Sequence, residues 1–473
     1  MEKFFKLREH HTDVKTEVIA GITTFMAMAY ILAVNPNILS ATGMPAGSVF
    51  TATAVASAVA TILMGVIANL PFALSAGMGL NAYFAYTVCL GMGASWQFAL
   101  AAVFVEGLIF IILSLTNVRE AIFNSIPMSL KTGVSAGIGL FILIIALINA
   151  NILQPSPATT VSLVPFAAAR NGVLDLVDMQ VATSLLCLTG VIIIGILIEK
   201  NVKGNILIGI LITWILGMLC QAIGLYKPGS VVNGAYVVGD FSGEHAFYSL
   251  IPSGFISMPE SMAPTFMAFK QGFGEVSTRG VVNFIVVLIS FLFVDIFDTL
   301  GTLIGCASSG NMLDEKGQLP GIKGALLSDA IGTTFGAMVG TSTITTFVES
   351  ASGVEEGGRT GLTAITTAAL FLLALFFWPI FSVIPSFATS SALIVVGFLM
   401  MKNVAKIQWN DVTEALPAFL AIIAMPFFYS ISEGISFGII SYCLLNLLTG
   451  KVKKLNPVLI IVAALFVLKY IFV

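Results

Sequence analysis

The sequence predicts an all-α polytopic membrane protein of about fourteen transmembrane spans, arranged as a 7+7 inverted repeat with core and gate domains and short β-strands in spans 3 and 10. Three observations lead there. The 473 residues are 58% hydrophobic and only 10% charged, against roughly 25% charged in soluble domains. Apolar runs of about 17–23 residues, each long enough for a hydrocarbon core of roughly 30 Å, recur along the whole chain. Basic residues gather in alternate short links between those runs.

The runs begin near Glu17, Val49, Phe72, Gln97, Thr132, Ala182, Asn205, Val281, Lys323, Ser342, Gly361, Phe387, Leu416 and Ile431. The first leads straight into the array without a small-residue cleavage site, so it is expected to stay in the mature chain. A last apolar stretch, Leu455 to Val473, reads either as one more span or as an interfacial helix. Lys3, Lys6, Arg8 and Lys15 precede the first run. Arg119 and Lys131, Lys200 and Lys203, Lys316 and Lys323, Arg359, Lys402 and Lys406, and Lys451, Lys453 and Lys454 fall in alternate links. The positive-inside rule assigns all of these, with the N-terminus, to the cytoplasm of a cell-membrane protein. The longer links, Asn151 to Met179 and Leu225 to Arg279, then face outward.

The longest link divides the runs into seven and seven. An odd number of spans per half makes the second copy enter from the opposite side, the inverted-repeat plan of many secondary transporters. The third run of each half is interrupted. Pro71 to Leu90 carries Gly77 and Gly79 just before Asn81, and Gly340 to Gly358 carries a β-branched stretch, Thr343 to Thr346, followed by Phe347, Val348, Glu349 and Ser350. Glycines weaken helix interiors and threonine-rich stretches prefer extended backbone, so each reads as a short strand leading into a half-helix. Broken spans at matching places in two halves point to a transporter binding site.

Between them in sequence lies the run Val281 to Ile304, with Asp295 and Asp298 inside it. A carboxylate near the middle of a membrane helix costs about 2.5–3.5 kcal/mol on insertion scales and generally faces a polar cavity or pathway. Three residues apart, the two share a helix face, which Thr299 and Thr302 extend with hydroxyls. Asn81, Asp295, Asp298 and Glu349 are therefore the candidate site. An amide donates and accepts, carboxylates accept N–H groups, and a dry environment favours their protonated form, as proton exchange requires. The plainer alternative is that these carboxylates neutralise one another or bond to the ends of the broken helices.

Other features receive plainer readings. Glu106, Asp329 and Glu433 stand alone in their runs and read as packing or gating residues. Gly336 and Gly340 have the GxxxG spacing of close helix packing, and Ser135 to Leu140 repeats Ser75 to Leu80 but leads into an unbroken apolar run, again packing. The five cysteines lie singly in or beside apolar runs, as small packing residues. His10 and His11 are near the N-terminus and His245 lies in an outer link. No dinucleotide fingerprint, Walker sequence, metal cluster or nucleophile–base set is present, so no cofactor, metal, nucleic acid or catalytic residue is expected.

With these residues in hand the chain resembles the nucleobase-cation symporter 2 superfamily, in particular the AzgA-like adenine/guanine/hypoxanthine permeases. The resemblance covers nearly the whole chain. It rests on EVIAGITTFMAMAYILAVNP (Glu17 to Pro36), SAGMGLNAYFAY (Ser75 to Tyr86), SMAPTFMAF (Ser261 to Phe269), FVDIFDTLGTLIG (Phe293 to Gly305) and GTSTITTFVESASGVEEGGRTGLTA (Gly340 to Ala364). It implies a proton-coupled importer of purine nucleobases, guanine, hypoxanthine or adenine, working by alternating access. The implied core domain is 1–128 and 280–385, the gate domain 129–224 and 386–473, and the outer link 225–279. Asn81, Asp295 and Glu349 map to the family's purine-binding positions, and Phe347 and Val348 beside Glu349 are further candidates for the substrate. Asp298 maps to a second acid tied to translocation, and Thr299 and Glu349 are candidates with it for proton coupling. The implied partners are a purine base, protons and the lipid bilayer; the oligomeric state, a homodimer included, is left open. The competing function is an anion transporter or exchanger of the related sulfate-transporter fold, which three carboxylates at the site disfavour. A membrane enzyme has no supporting residues.

Overall fold

Two short strands, Leu74–Ala76 and Ile344–Thr346, pair antiparallel with Ser75 opposite Thr345, joining segments some 270 residues apart. They organise what surrounds them. The computed structural model describes residues 2–116, 127–156, 160–167, 176–232, 235–242, 244–313 and 319–472; Arg119 and Lys316 lie outside these. The chain divides into two compact units: Met1–Phe141, Pro259–Leu375 and Leu399–Val473 form one, and Ile142–Met258 with Phe376–Phe398 the other.

Among the described residues nine helices are long and apolar enough to cross a membrane. They are Val14–Ser40, Ala46–Ala68, Trp96–Leu115, Met128–Asn149, Leu176–Glu199, Asn205–Ala222, Val281–Leu303, Gly361–Phe381 and Ser386–Lys406. Val412–Phe427 and Glu433–Leu448 are shorter apolar helices. Ile322–Val339 and Pro457–Phe472 are helical as well. The first long segment is broken: one helix ends at Met28 and the next starts at Ile31. Around Ala29 and Tyr30 the bonds tighten, with Leu32 N–H donating to Ala29 O and Ala33 N–H to Tyr30 O, a local 3₁₀ winding.

In the first unit the strand pair is closed on its outer edges by hydroxyls. Thr61 Oγ1 accepts from Leu74 N–H at 2.9 Å, and Thr333 Oγ1 donates to Ile344 O at 2.9 Å. Away from water an unpaired backbone group is costly, so non-helical backbone at depth must be satisfied in this way. Ser57 and Ser75 hydroxyls bond at 2.7 Å, and Asn35 Nδ2 donates to Thr53 and Thr341, tying the flanking helices to both interrupted segments. Each strand leads into a half-helix, as the sequence predicts: Met78–Ala82 after the first, widening into π-type winding over Tyr83–Gly91, and Ser350–Glu355 after the second.

Glu17 is fully buried. Its carboxylate accepts from Arg359 N–H (2.9 Å), Thr363 N–H (3.1 Å) and Thr363 Oγ1 (2.6 Å), capping the helix Gly361–Ala374 from another part of the chain. Anionic groups are favoured at helix N-termini. Gly137 packs as predicted, with its Cβ position 2.7 Å from Met425 Sδ, and Gly133, outside the predicted stretch, packs likewise, 2.8 Å from Ala418 Cα. The GxxxG reading needs correcting. Gly340 has φ of +101° and ends the helix Ile322–Val339, its N–H donating to Gly336 O, and Gly336 packs on Ile344 of the strand. Left-handed backbone at a helix end favours glycine, so the spacing marks a helix stop.

Lys451 and Lys454 pair with Asp411 at 3.0 Å, and Lys454 also with Glu414. Hydrogen bonds from Thr413 first, then from Lys454 and Lys451, hold the Asp411 carboxyl well below the usual carboxylate range.

The second unit adds structure the all-α expectation lacked. The two longer links hold a hairpin of Leu153–Ser156 with Thr160–Leu163, and a three-stranded sheet in which Gly229–Val232 lies between Ala235–Val238 and Glu244–Phe247. The Asn-Gly pair between the first two sheet strands in sequence was the available hairpin signal.

Candidate functional site

The acids converge on the strand pair within the first unit. Asp295 is fully buried on the helix Val281–Ser309. Thr299, one turn on, places its Oγ1 2.7 Å from Asp295 Oδ1 and 2.8 Å from Asp329 Oδ1, on the neighbouring helix. Asp329 is also fully buried, so its reading as an isolated packing residue is corrected. It completes a carboxyl–hydroxyl–carboxyl trio. One hydroxyl carries one proton and donates it once, so both contacts are hydrogen bonds when one of the two carboxyls is itself protonated. That arrangement can hold and release a proton.

Asp298, on the same helix, is half-buried and accepts from Thr345 Oγ1 at 3.2 Å, which links it to the second strand. Glu349, at the start of the second half-helix, is also half-buried and accepts from the phenol of Tyr30 at 2.5 Å. Val348 beside it is 60% exposed and Phe347 is buried. The backbone turn at Phe347 and Val348 rests on Cys306, whose Sγ lies 3.8 and 3.5 Å from their carbonyl oxygens.

Asn81 is fully buried. Ser342 Oγ donates to its Oδ1, and its Nδ2 donates to Ala76 O at 3.4 Å. It bridges the two interrupted segments, and among the described residues no hydrogen bond joins it to Asp295, Asp298 or Glu349. Glu106 is likewise not isolated: Thr343 Oγ1 donates to Glu106 Oε2 at 2.7 Å. Thr343, just before the strand, and Thr345 within it thus reach different acids. Glu433 has a partner too, since Tyr470 donates to its Oε2. Tyr30, Glu106, Asp329 and Ser342 are the residues that sequence reasoning missed or underrated. Only the buried acids carried a signal, as ionisable groups within apolar runs.

Among the described residues no group of three or more His, Cys, Asp or Glu side chains is placed to hold a metal ion. A cavity of about 830 Å³ lies at the N-terminal segment, lined by Glu9, His11, Asp13, Asn69, Asn311 and Arg359 among others, and contains none of the candidate residues.

A pair of interrupted segments meeting strand to strand beside an acidic helix defines a membrane transporter class, and comparison with solved structures agrees on the fold. The transmembrane domain of the cyanobacterial bicarbonate transporter BicA aligns with a TM-score of 0.60 at 16% identity, covering 89% of this chain and 97% of that one. The structure of SLC26A9 gives 0.59 at 12%, covering 92% and 66%. At these identities the likeness concerns architecture alone. The Xan_ur_permease model, that of a permease family, matches residues 15–437. The adenine permease AdeP of Escherichia coli K12 is 39% identical over 100% of this chain and 96% of its own length. The guanine/hypoxanthine permease PbuG of Bacillus subtilis is 41% identical over the whole of both. The chain belongs to the nucleobase-cation symporter 2 superfamily, in the group that holds these permeases, and is a multi-pass membrane protein.

Proposed function

We propose that this protein imports purine nucleobases, guanine, hypoxanthine or adenine, across the cell membrane by proton-coupled alternating access, with its N-terminus in the cytoplasm. The observation that carries the proposal is the placement of Asp298 and Glu349 at one strand pair between two half-helices, with Asp295 on the same helix as Asp298. Carboxylates accept the N–H groups that a purine edge presents and repel an inorganic anion, so the anion-transporter alternative keeps the fold but loses the chemistry. Full-length likeness to adenine and guanine/hypoxanthine permeases supports the same substrate class.

In this reading fourteen spans form a 7+7 inverted repeat. Support comes from adding the interrupted segments, Ile322–Val339 and the two shorter apolar helices to the nine long ones. Asp295, Glu349, Asn81, Phe347 and Val348 form the base site, and Asp298, Thr299 and Glu349 serve translocation, within a core of 1–128 and 280–385 completed by a gate of 129–224 and 386–473. One observation favours a second division of labour. Asp295 is fully buried and shares Thr299 with Asp329, whereas Asp298 is half-buried, which suits Asp298 to the ligand and the Asp295–Asp329 trio to the proton.

The test is uptake of labelled hypoxanthine in cells lacking other purine permeases, competed by unlabelled bases. Saturable uptake blocked by purines, collapsed by a protonophore and indifferent to sodium is expected. Uptake of bicarbonate or sulfate with none of hypoxanthine would overturn the reading, and acceleration by sodium at a fixed proton gradient would overturn proton coupling.

A further inference from the structure

We propose that Tyr30 is a positioning residue of this site, whose phenol at the break in the first apolar segment fixes the Glu349 carboxylate as an acceptor for a ligand N–H. The inference deepens the purine reading and rests on it. Tyr30 is fully buried, and its hydroxyl meets Glu349 Oε1 at 2.5 Å across 319 residues of sequence. A buried phenol needs a hydrogen-bond partner. Tyr30 stands between the helix ending at Met28 and the one starting at Ile31, and Glu349 is the partner its phenol finds.

The Glu349 side chain does not turn back to cap its own half-helix Ser350–Glu355. Among the described residues its hydrogen-bonding side-chain partner is Tyr30. The phenol has one proton and donates it to Oε1. What Glu349 then offers a ligand is lone pairs alone, on Oε2, since the phenol oxygen is buried with its ring. A heterocycle edge carrying N–H groups fits such a surface, and an edge with acceptors only does not. Holding one oxygen also leaves the carboxylate a single orientation, so the ligand need not order it on binding.

Tyr30→Phe keeps the ring and removes the hydroxyl. In the full-length protein, the Kd and transport KM for hypoxanthine should rise about ten- to hundredfold, the loss expected for one hydrogen bond to a charged group. Maximal uptake per molecule, membrane abundance and thermal midpoint in detergent should stay near wild type. Tyr30→His, which retains a donor, should recover part of the affinity, and it is the variant read if Tyr30→Phe fails to reach the membrane. A structural role would instead lower the thermal midpoint or abundance and leave Kd alone. Unchanged Kd in a folded Tyr30→Phe, or Tyr30→His no better than Tyr30→Phe, overturns the assignment while wild-type purine binding upholds the function. Absence of purine binding by the wild type overturns both.

Discussion

Thr299 offers the sharpest test of how the buried acids work. Its hydroxyl lies 2.7 Å from Asp295 and 2.8 Å from Asp329, both fully buried. Thr299→Val is nearly isosteric and removes that bridge alone. A hydrogen bond to a charged group is worth about 1.5–3 kcal/mol, and a buried group left without its partner stays costly. At about 1.36 kcal/mol per factor of ten, transport efficiency should fall about ten- to 150-fold. If the trio carries the coupling proton, the loss should be larger for concentrative hypoxanthine uptake than for exchange of labelled for unlabelled base, which needs no net proton movement. Both are measured in cells, normalised to membrane abundance. Thr299→Ser, which keeps the hydroxyl, should stay within a few-fold of wild type on the same reasoning. Wild-type uptake by Thr299→Val would refute the bridge. So would equal damage from Ser and Val, since the lost methyl would then explain the Ser result.

Glu349→Gln should abolish concentrative purine uptake at unchanged membrane abundance, because the amide cannot exchange a proton and places an N–H where the ligand needs an acceptor; normal uptake rates would remove Glu349 from the site. Asp295→Asn should lose both binding and transport, while Asp298→Asn keeps measurable binding of guanine, hypoxanthine or adenine in a calorimetric titration and loses transport. The opposite pattern would support the second division of labour, and equal loss of binding would show a single acidic site. Gly77→Ala places a Cβ 2.9 Å from Thr345 Oγ1 and 3.1 Å from Leu80 Cδ1, at the joint of strand and half-helix. Overpacking of this kind costs about 1–3 kcal/mol, so the thermal midpoint in detergent should drop; an unaltered midpoint with normal uptake would mean the joint yields freely.

The sequence by itself determined the membrane class, the interruption of Pro71 to Leu90 and of Gly340 to Gly358 by strand and half-helix, and the acidic face of Asp295 and Asp298. These follow from composition and from local rules that act within a few residues: apolar run length, glycine and threonine propensities, and helical spacing. It also drew attention to Glu349, as an acid at the start of a broken helix. It could not pair these parts. Tyr30 with Glu349, Asp295 with Asp329 through Thr299, Glu106 with Thr343, and Asn81 with Ser342 join residues that lie 34 to 319 positions apart. Partnerships of that kind belong to no local propensity. They exist because buried polar groups must find partners wherever packing puts them, and the packing is set by the strand pair that brings Ser75 against Thr345. The GxxxG spacing at Gly336 and Gly340 shows the same limit from the other side: two glycines four apart suit a helix contact and a helix stop equally well, and the left-handed φ of Gly340, a property of the folded chain, decides between them.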